Sequence, residues 1–194
     1  MSFTFLIPTH RDDRPLARCL GSIVHQLAPE DEVLVIGDVH SQSLERVPKL
    51  TSRYGPQFRY LPFDAGHHCY GHDQLNYGIS QARGDYLHVN DDDDVWAPGA
   101  LAIMRQAVLE EPARPHLFRF MSYHRAVFWD QYGLVERNHI GGHCLVAPNL
   151  PGKVGLWECY YTGDFDYVQS TLTLHGGNDS AVWHEDIVAV ARPL

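Results

Sequence analysis

The chain has 194 residues, a formal net charge of −9 and 44% hydrophobic residues. This length suffices for one domain with a buried core, and the acidic total argues against a protein that coats nucleic acid through clustered Lys and Arg. No run approaches the roughly 20 apolar residues of a membrane-spanning helix. The N-terminal sequence MSFTFLIPTHRDD favours a strand over a signal peptide. We therefore expect a cytoplasmic protein with no membrane span.

Cysteine usage supports the same expectation. The four cysteines are widely scattered and form no CxxC pair: Cys19, Cys69, Cys144 and Cys159. In a chain with no signal peptide this pattern predicts reduced thiols.

The first 110 residues alternate short apolar strands with amphipathic helices. Asp13 is placed to cap the first helix and Pro15 to occupy its first turn. Strand, helix and strand in this order predict a parallel sheet. The predicted strands cover residues 3–8, 32–36, 58–63 and 85–89, and the predicted helices cover 13–27, 73–82 and 98–109.

The second half has a different pattern. Residues 117–123 and 126–129 predict an antiparallel pair, and 141–163 predict loops with one short strand. A predicted helix from Asp164 to Leu174 is followed by a last strand or an extended tail over 181–190. No linker separates these parts, so we expect one domain over residues 1–194. Its halves are 1–110 and 111–194.

Four consecutive aspartates, Asp91 to Asp94, follow the strand at 85–89. Their mutual repulsion is unfavourable unless a cation lies among them or all are solvated. In a parallel sheet the carboxyl ends of the strands face the ligand crevice, and carboxylate oxygens suit Mg²⁺ or Mn²⁺. Because the run lies between a buried strand and a proline-started helix, a metal site is favoured over a solvated acidic loop.

Three segments together resemble family 2 glycosyltransferases. They are FLIPTHRD at 5–12, VLVIGD at 33–38 and GHDQLNYGISQARGDYLHVNDDDDVWAPGAL at 71–101. The resemblance implies an α/β fold of the GT-A type. In that fold a Rossmann-like, mixed but mostly parallel sheet is flanked by helices, and a small irregular C-terminal half binds the acceptor. Two departures are Gly37-Asp38-Val39 after the second strand and Leu75, where the family commonly has Arg.

The resemblance also implies site residues. The first half is expected to bind a nucleotide-sugar, with a UDP-sugar as the expected donor, and the second half to carry a catalytic base. The register within the four aspartates stays open. The implied nucleotide-sugar contacts are Pro8, Thr9, Arg11, Asp38, Asn76, Asp91 and Asp92, and the implied metal ligands are Asp91, Asp93 and His184, with His175 as an alternative histidine.

Asp164 matches the position of the base in the family, and Asp166 is the alternative. An Asp at a helix start can equally be a plain N-cap. His67, His68, Cys69 and His72 could be a zinc site, although a loop lining the donor pocket fits their crowding better. A further group predicts an acceptor wall or a packed loop: Gly141, Gly142, His143, Trp157, Tyr160 and Tyr161.

The predicted function is metal-dependent transfer of a sugar to an acceptor hydroxyl with inversion. A metal-dependent phosphohydrolase, a nucleotidyltransferase and an inactive nucleotide-sugar-binding module remain alternatives. The nature of the acceptor stays open, and a homodimer is possible.

Overall fold

The computed structural model describes residues 1–10, 13–40, 45–64, 69–124 and 126–192. Within them the strands are β1 (Phe3–Thr9), β2 (Glu32–Asp38), β3 (Phe58–Phe63), β4 (Tyr86–Val89), β5 (Val95–Trp96), β6 (His116–Met121), β7 (Val127–Phe128), β8 (Leu145–Pro148) and β9 (Val182–Val190). The helices are α1 (Asp13–Ile23), α2 (Arg46–Ser52), α3 (His72–Gln81), α4 (Ala100–Glu110) and α5 (Gly163–Leu174).

One mixed sheet runs through both halves of the chain. Its order is β3-β2-β1-β4-β8-β6-β9-β5, and β7 pairs with β6. The strands from β3 to β4 are parallel, and β8 lies antiparallel between β4 and β6. The predicted α/β architecture, a mixed sheet with flanking helices, is confirmed.

Strand β1 separates two apolar layers. All seven of its residues are buried, and its side chains alternate between the two faces of the sheet. Phe5 and Ile7 belong to the layer that contains Leu16 of α1, whereas Leu6 belongs to the layer that contains Leu75 of α3. Helices on both faces bury the strand completely, as is usual for a parallel sheet. The carboxyl ends of β1 and β4 therefore lie side by side at one edge.

Strand β5, at the end of the sheet order, packs against helix α1. Ser22 Oγ accepts a hydrogen bond of 3.0 Å from the backbone N–H of Trp96 in β5, and Gln26 Nε2 donates one of 3.2 Å to the carbonyl of Ala97. Strand β5 also pairs with β9, so the sheet curls. This curl brings the end of β9 to the acidic run that precedes β5.

The predicted elements of the second half are confirmed, including the antiparallel pair β6–β7, the single strand β8 and helix α5. Two short elements, α2 and β5, were not predicted. No helix in the described ranges combines the length and the apolar character that crossing a membrane requires.

The expectation of four reduced cysteines is wrong. Cys69 and Cys159 form a disulfide, with 5.2 Å between their Cα atoms, while Cys19 and Cys144 are free and buried. The bonded pair is 90 residues apart in the chain, and only the packing of two loops brings the sulfurs together. The bridge joins the segment before α3 to the segment before α5.

Candidate functional site

The acidic run is held in place by contacts to the ends of β1 and β9. The hydroxyl of Thr9, the last residue of β1, donates a hydrogen bond of 2.6 Å to Asp92 Oδ2. Arg192, just after β9, places Nε 3.1 Å from Asp93 Oδ2 and donates its backbone N–H to Asp94 Oδ1 at 2.8 Å. Each aspartate thus has its own environment, and the four are not equivalent.

Two of these carboxylates converge on a histidine from the second half. Single ligand atoms of Asp91, Asp94 and His143 all lie within 4.8 Å of one another. His143 Nε2 is 2.9 Å from Asp94 Oδ2 and 3.9 Å from Asp91 Oδ2. His143 belongs to a short 3₁₀ turn that leads into β8, and β8 pairs directly with β4. Strand pairing therefore carries the imidazole to the acidic run.

The charges in this cluster are strongly coupled. Burial by itself lowers the pKa of His143, but the hydrogen bond to Asp94 and the charges of Asp91 and Asp94 outweigh it and raise the pKa to about 10. Desolvation raises the pKa of Asp91 to about 7, although 49% of this side chain is open to the cleft and water there limits the shift. Without a metal, an imidazolium at His143 compensates the charge of the converging carboxylates, and a metal that bound its Nε2 would displace the proton.

The cluster fits a divalent cation. Two carboxylate oxygens and one imidazole nitrogen are donors that Mn²⁺ accepts readily, and the oxygens also suit Mg²⁺. The sequence had pointed to Asp91, Asp93 and His184. In the structure Asp91 and Asp94 converge on His143, whereas the carboxylate of Asp93 faces Arg192.

His184 lies elsewhere in the sheet. Its ring stacks on Phe118 at 4.4 Å between centroids, and its Nε2 is 3.0 Å from Nδ1 of His116. His175, the alternative, follows the last residue of α5 at the C-terminal cap. His184 is in the first half of β9, whereas the residues of β9 that pass beside the acidic run and β5 are its last ones.

Two cavities meet beside this cluster. The first, which we call the strand-end cavity, has a volume of about 540 Å³ and is lined by His10, Tyr70, His72, Leu75, Asp91, Tyr161, Asp164 and Arg192. The second, which we call the loop cavity, has a volume of about 480 Å³; its walls include Phe120, Phe128, Arg137, Ile140, Gly141, His143 and Phe165. Asp91, Tyr161, Asp164 and Arg192 line both.

Asp164 is not the N-cap of α5, a position that Thr162 occupies. The indole Nε1 of Trp157 donates a hydrogen bond of 3.0 Å to Asp164 Oδ1. A Cβ on Gly142 would lie 3.0 Å from the same oxygen, so a glycine allows the 3₁₀ turn to approach this carboxylate. Asp166 faces the other way, with its Oδ1 3.6 Å from Arg137 Nη2, and it lines an outer groove beside α5.

Asn76, which was expected to contact the nucleotide, forms hydrogen bonds with the backbone of Trp157. Its Nδ2 donates to the carbonyl of Trp157 at 2.9 Å, and its Oδ1 accepts the N–H of the same residue at 2.9 Å. The two polar atoms of the Asn76 amide thus join α3 to the loop before α5. The neighbouring Gln74, which the sequence analysis missed, donates to the carbonyls of Thr9 and Ile36 and ties together the ends of β1 and β2. The sequence feature that could have identified Gln74 is a polar residue at a position on the inner face of α3.

The remaining first-half residues lie at the ends of the strands. Pro8 is in β1, opposite Ile36, and Asp38 ends β2, where its Oδ1 accepts the backbone N–H of His40 at 2.9 Å. Asp38 is partly exposed and open to a ligand. Arg11, expected beside the nucleotide, lies outside the described residues.

The other groups singled out from the sequence separate in the structure. Gly141, His143 and Tyr161 line the loop cavity. Trp157 is buried and stacks on Tyr167 at 3.4 Å between ring centroids, while Tyr160 lines the outer groove. Of the suggested zinc ligands, His67 and His68 lie outside the described residues, and the sulfur of Cys69 is bonded to Cys159. His72 lines the strand-end cavity.

Comparisons with known proteins agree with this geometry. The sequence model for glycosyl transferase family 2 matches residues 4–142. No curated protein sequence matches. Similar solved structures include S. aureus TarS, with a TM-score of 0.74 and 13% identity over all of this chain and 37% of that one. A TarS 1–349 complex with UDP-GlcNAc gives 0.75 and 14% over 98% of this chain and 58% of that one. The mannosyltransferase PcManGT from Pyrobaculum calidifontis, in complex with GDP-Man and Mn²⁺, gives 0.69 and 18% over 98% and 56%.

The curled mixed sheet and the acidic run at its carboxyl edge define a protein with the GT-A glycosyltransferase fold. Because the family model covers more than half of its residues, the chain belongs to glycosyl transferase family 2. It spans only 37 to 58% of the length of these structural relatives.

Proposed function

We propose that this chain transfers a sugar from a nucleoside diphosphate to an acceptor hydroxyl, with inversion at the anomeric carbon. One observation carries the proposal: Asp164 lies where the strand-end cavity and the loop cavity meet, beside Asp91. A base that takes a proton from an acceptor must reach both the acceptor and the sugar under attack.

The donor occupies the strand-end cavity in this proposal. The cavity opens at the carboxyl ends of the parallel strands, where ligands of α/β proteins bind. Asp38 at the end of β2 is open to a base or ribose, and Arg192 is a cation for the diphosphate. A UDP-sugar is the first donor to test because TarS 1–349 has been solved with UDP-GlcNAc and with UDP.

Asp91, Asp94 and His143 would hold the metal. Mn²⁺ or Mg²⁺ bound there would neutralise negative charge on the diphosphate as it leaves. The hydrogen bond from Thr9 to Asp92 fixes the acidic run relative to β1, so the carboxylates are oriented before the donor binds.

The acceptor approaches through the loop cavity. Its aromatic side chains, such as Phe120 and Phe128, give it an apolar wall on which a sugar or another ring can pack. Asp164 takes the hydroxyl proton while the acceptor oxygen forms its bond to the anomeric carbon. The bond from that carbon to the phosphate oxygen breaks, and the electron pair leaves with the nucleoside diphosphate. Attack from the face opposite the leaving group inverts the configuration.

The roles of the two halves follow from this arrangement. Residues 1–110 bind the nucleotide-sugar, and residues 111–194 supply the base, the acceptor wall and His143. The two halves therefore act as a single catalytic domain.

The first experiment is a thermal-shift screen of UDP, GDP, CDP, TDP and their sugars, with and without Mn²⁺. A ligand at about 100 times its Kd stabilises a protein by roughly 2.7 kcal/mol, a readily visible rise in Tm. We expect a metal-dependent shift with UDP and UDP-sugars. If none of the nucleotides raises the Tm, with or without metal, the proposed activity is wrong.

A further inference from the structure

His72 is the first residue of α3 and is only 5% exposed, yet it lines the strand-end cavity. Two features fix its ring. Nδ1 donates a hydrogen bond of 2.8 Å to the carbonyl of Glu158, and the disulfide between Cys69 and Cys159 joins the two segments that carry these partners. A side chain held so firmly has little rotamer entropy left to lose when a ligand binds.

Gly163 makes the room for this ring. A Cβ at this position would lie 2.5 Å from Cε1 and 2.6 Å from Nδ1 of His72, and 2.5 Å from the carbonyl oxygen of Glu158. Any other residue would thus displace the imidazole or the start of α5. The imidazole of His72 can therefore occupy its position only because residue 163 has no side chain.

The two edges of the ring have different surroundings. The edge with Nδ1 and Cε1 packs on Gly163 and the Glu158 carbonyl. His72 lines the strand-end cavity, and because Nδ1 is bonded to the Glu158 carbonyl, Nε2 is the ring nitrogen that remains for a ligand there. Because a carbonyl can only accept, Nδ1 carries the proton, and Nε2 of a neutral ring is a hydrogen-bond acceptor. A hydroxyl group is the matching partner.

The position of the His72 ring in the strand-end cavity determines which part of the donor it contacts. Gly163 is the residue immediately before Asp164, and Asp91 lines the same cavity. Both carboxylates lie near the point where the glycosidic bond is made, whereas Asp38, open to the base or ribose, is at the end of β2. The imidazole is therefore beside the sugar rather than the nucleoside.

We propose that His72 is a specificity-determining residue that accepts a hydrogen bond from a hydroxyl of the donor sugar through Nε2. This inference rests on the proposed function, because it requires a nucleotide-sugar in the strand-end cavity. It predicts that His72 contributes to the affinity for the sugar-nucleotide and not to the affinity for the nucleoside diphosphate alone.

Two matched substitutions test the roles of the two ring nitrogens of His72 one at a time. In His72→Asn the amide reaches the position of Nδ1 and can keep the bond to Glu158, but nothing reaches the position of Nε2. In His72→Gln the longer amide reaches the position of Nε2. His72→Phe keeps a ring and removes both nitrogens, and His25→Ala is a control at an exposed histidine of the chain.

The measurement is the Kd for UDP and for the UDP-sugar that binds the unaltered protein, by calorimetry with Mn²⁺. We expect His72→Asn and His72→Phe to weaken UDP-sugar binding about tenfold, as for one lost hydrogen bond, and to change UDP binding less than about twofold. His72→Gln should recover most of the loss. A deoxy analogue of the sugar that lacks the bonded hydroxyl should bind the unaltered protein and His72→Phe alike.

The outcomes are distinct. If the unaltered protein binds neither a nucleoside diphosphate nor a nucleotide-sugar, the proposed function and this inference fall together. If it binds both, and the Asn and Phe variants keep the same ratio of the two Kd values, only the inference about His72 is wrong. A loss of UDP affinity equal to the loss of UDP-sugar affinity would also overturn it, since the ring would then contact the diphosphate or nucleoside.

Discussion

Trp157 Nε1 donates a hydrogen bond of 3.0 Å to Oδ1 of Asp164, and this bond fixes the orientation of the proposed base. The indole ring is 3% exposed and stacks on Tyr167. Its backbone is held in turn by the amide of Asn76. A chain of contacts thus extends from α3 in the first half to the carboxylate in the second.

Trp157→Phe should lower kcat by about 10- to 100-fold, because a hydrogen bond to a charged group contributes roughly 1.5–3 kcal/mol. The phenyl ring retains the stacking on Tyr167, so KM for the donor should change little. Steady-state rates of UDP release at varied donor and acceptor concentrations give both constants. Asp164→Asn is the matched variant and should be nearly inactive while still binding UDP. An unchanged kcat in Trp157→Phe would show that the indole does not orient the base.

Neighbouring aspartates should differ in their effect on metal binding. Asp94→Asn removes a carboxylate from the cluster with Asp91 and His143, so Mn²⁺ should no longer strengthen UDP binding. Asp93→Asn removes a charge that faces Arg192 and should keep the metal dependence. Calorimetric titration of UDP with and without Mn²⁺ compares the two variants. The reverse result, with Asp93 required and Asp94 dispensable, would restore the assignment made from the sequence.

Much of the first half could be predicted because its signals are local. Continuous apolar runs predict buried parallel strands, and the acidic run follows one of them directly, so its place at the carboxyl edge of the sheet needs no tertiary information. The short elements α2 and β5 were missed because seven and two residues are too few for a clear periodicity.

The partner of the acidic run could not be predicted in the same way. His143 is 52 residues beyond Asp91 and reaches it only because β8 inserts between β4 and β6. Sequence spacing carries no information on such an insertion. The same holds for the pairing of Cys69 with Cys159 and for the fit of His72 against Gly163, which depend on how two loops pack.

Asn76→Ala should destabilise the protein without weakening UDP binding. The substitution removes two hydrogen bonds to the backbone of Trp157, each contributing roughly 0.5–1.5 kcal/mol. We expect a decrease of about 1–3 kcal/mol in the free energy of unfolding, measured by urea denaturation. UDP affinity, measured well below the Tm, should stay within about twofold of the original. A large loss of affinity in a folded variant would indicate that Asn76 contacts the nucleotide after all.

Buried His116, which contacts the partly exposed His184, should make the protein less stable in mild acid. Burial lowers the pKa of His116 from 6.5 to about 4, the hydrogen bond to the Glu111 carbonyl opposes this, and the charge of His184 adds to it. In the unfolded chain His116 therefore takes up a proton near pH 6.5, whereas in the folded protein it does so only near pH 4. The contribution of neutral His116 to the free energy of unfolding is complete above pH 6.5. It is lost as the pH falls towards 4, and the loss is at most about 3 kcal/mol. His88, with a pKa lowered to about 4 by burial, acts in the same direction.

Urea denaturation between pH 7.5 and 4.5 checks this prediction, with His116→Phe as the matched variant. The phenyl ring can keep the stacking on Phe118 but does not titrate. The variant is expected to be less stable at pH 7, because His184 Nε2 and the Glu111 carbonyl lose their partner. Its free energy of unfolding should nevertheless fall less steeply with acidification, since His88 still titrates and His116 does not. Parallel curves for the two proteins would mean that His116 takes up its proton equally easily in the folded and unfolded states.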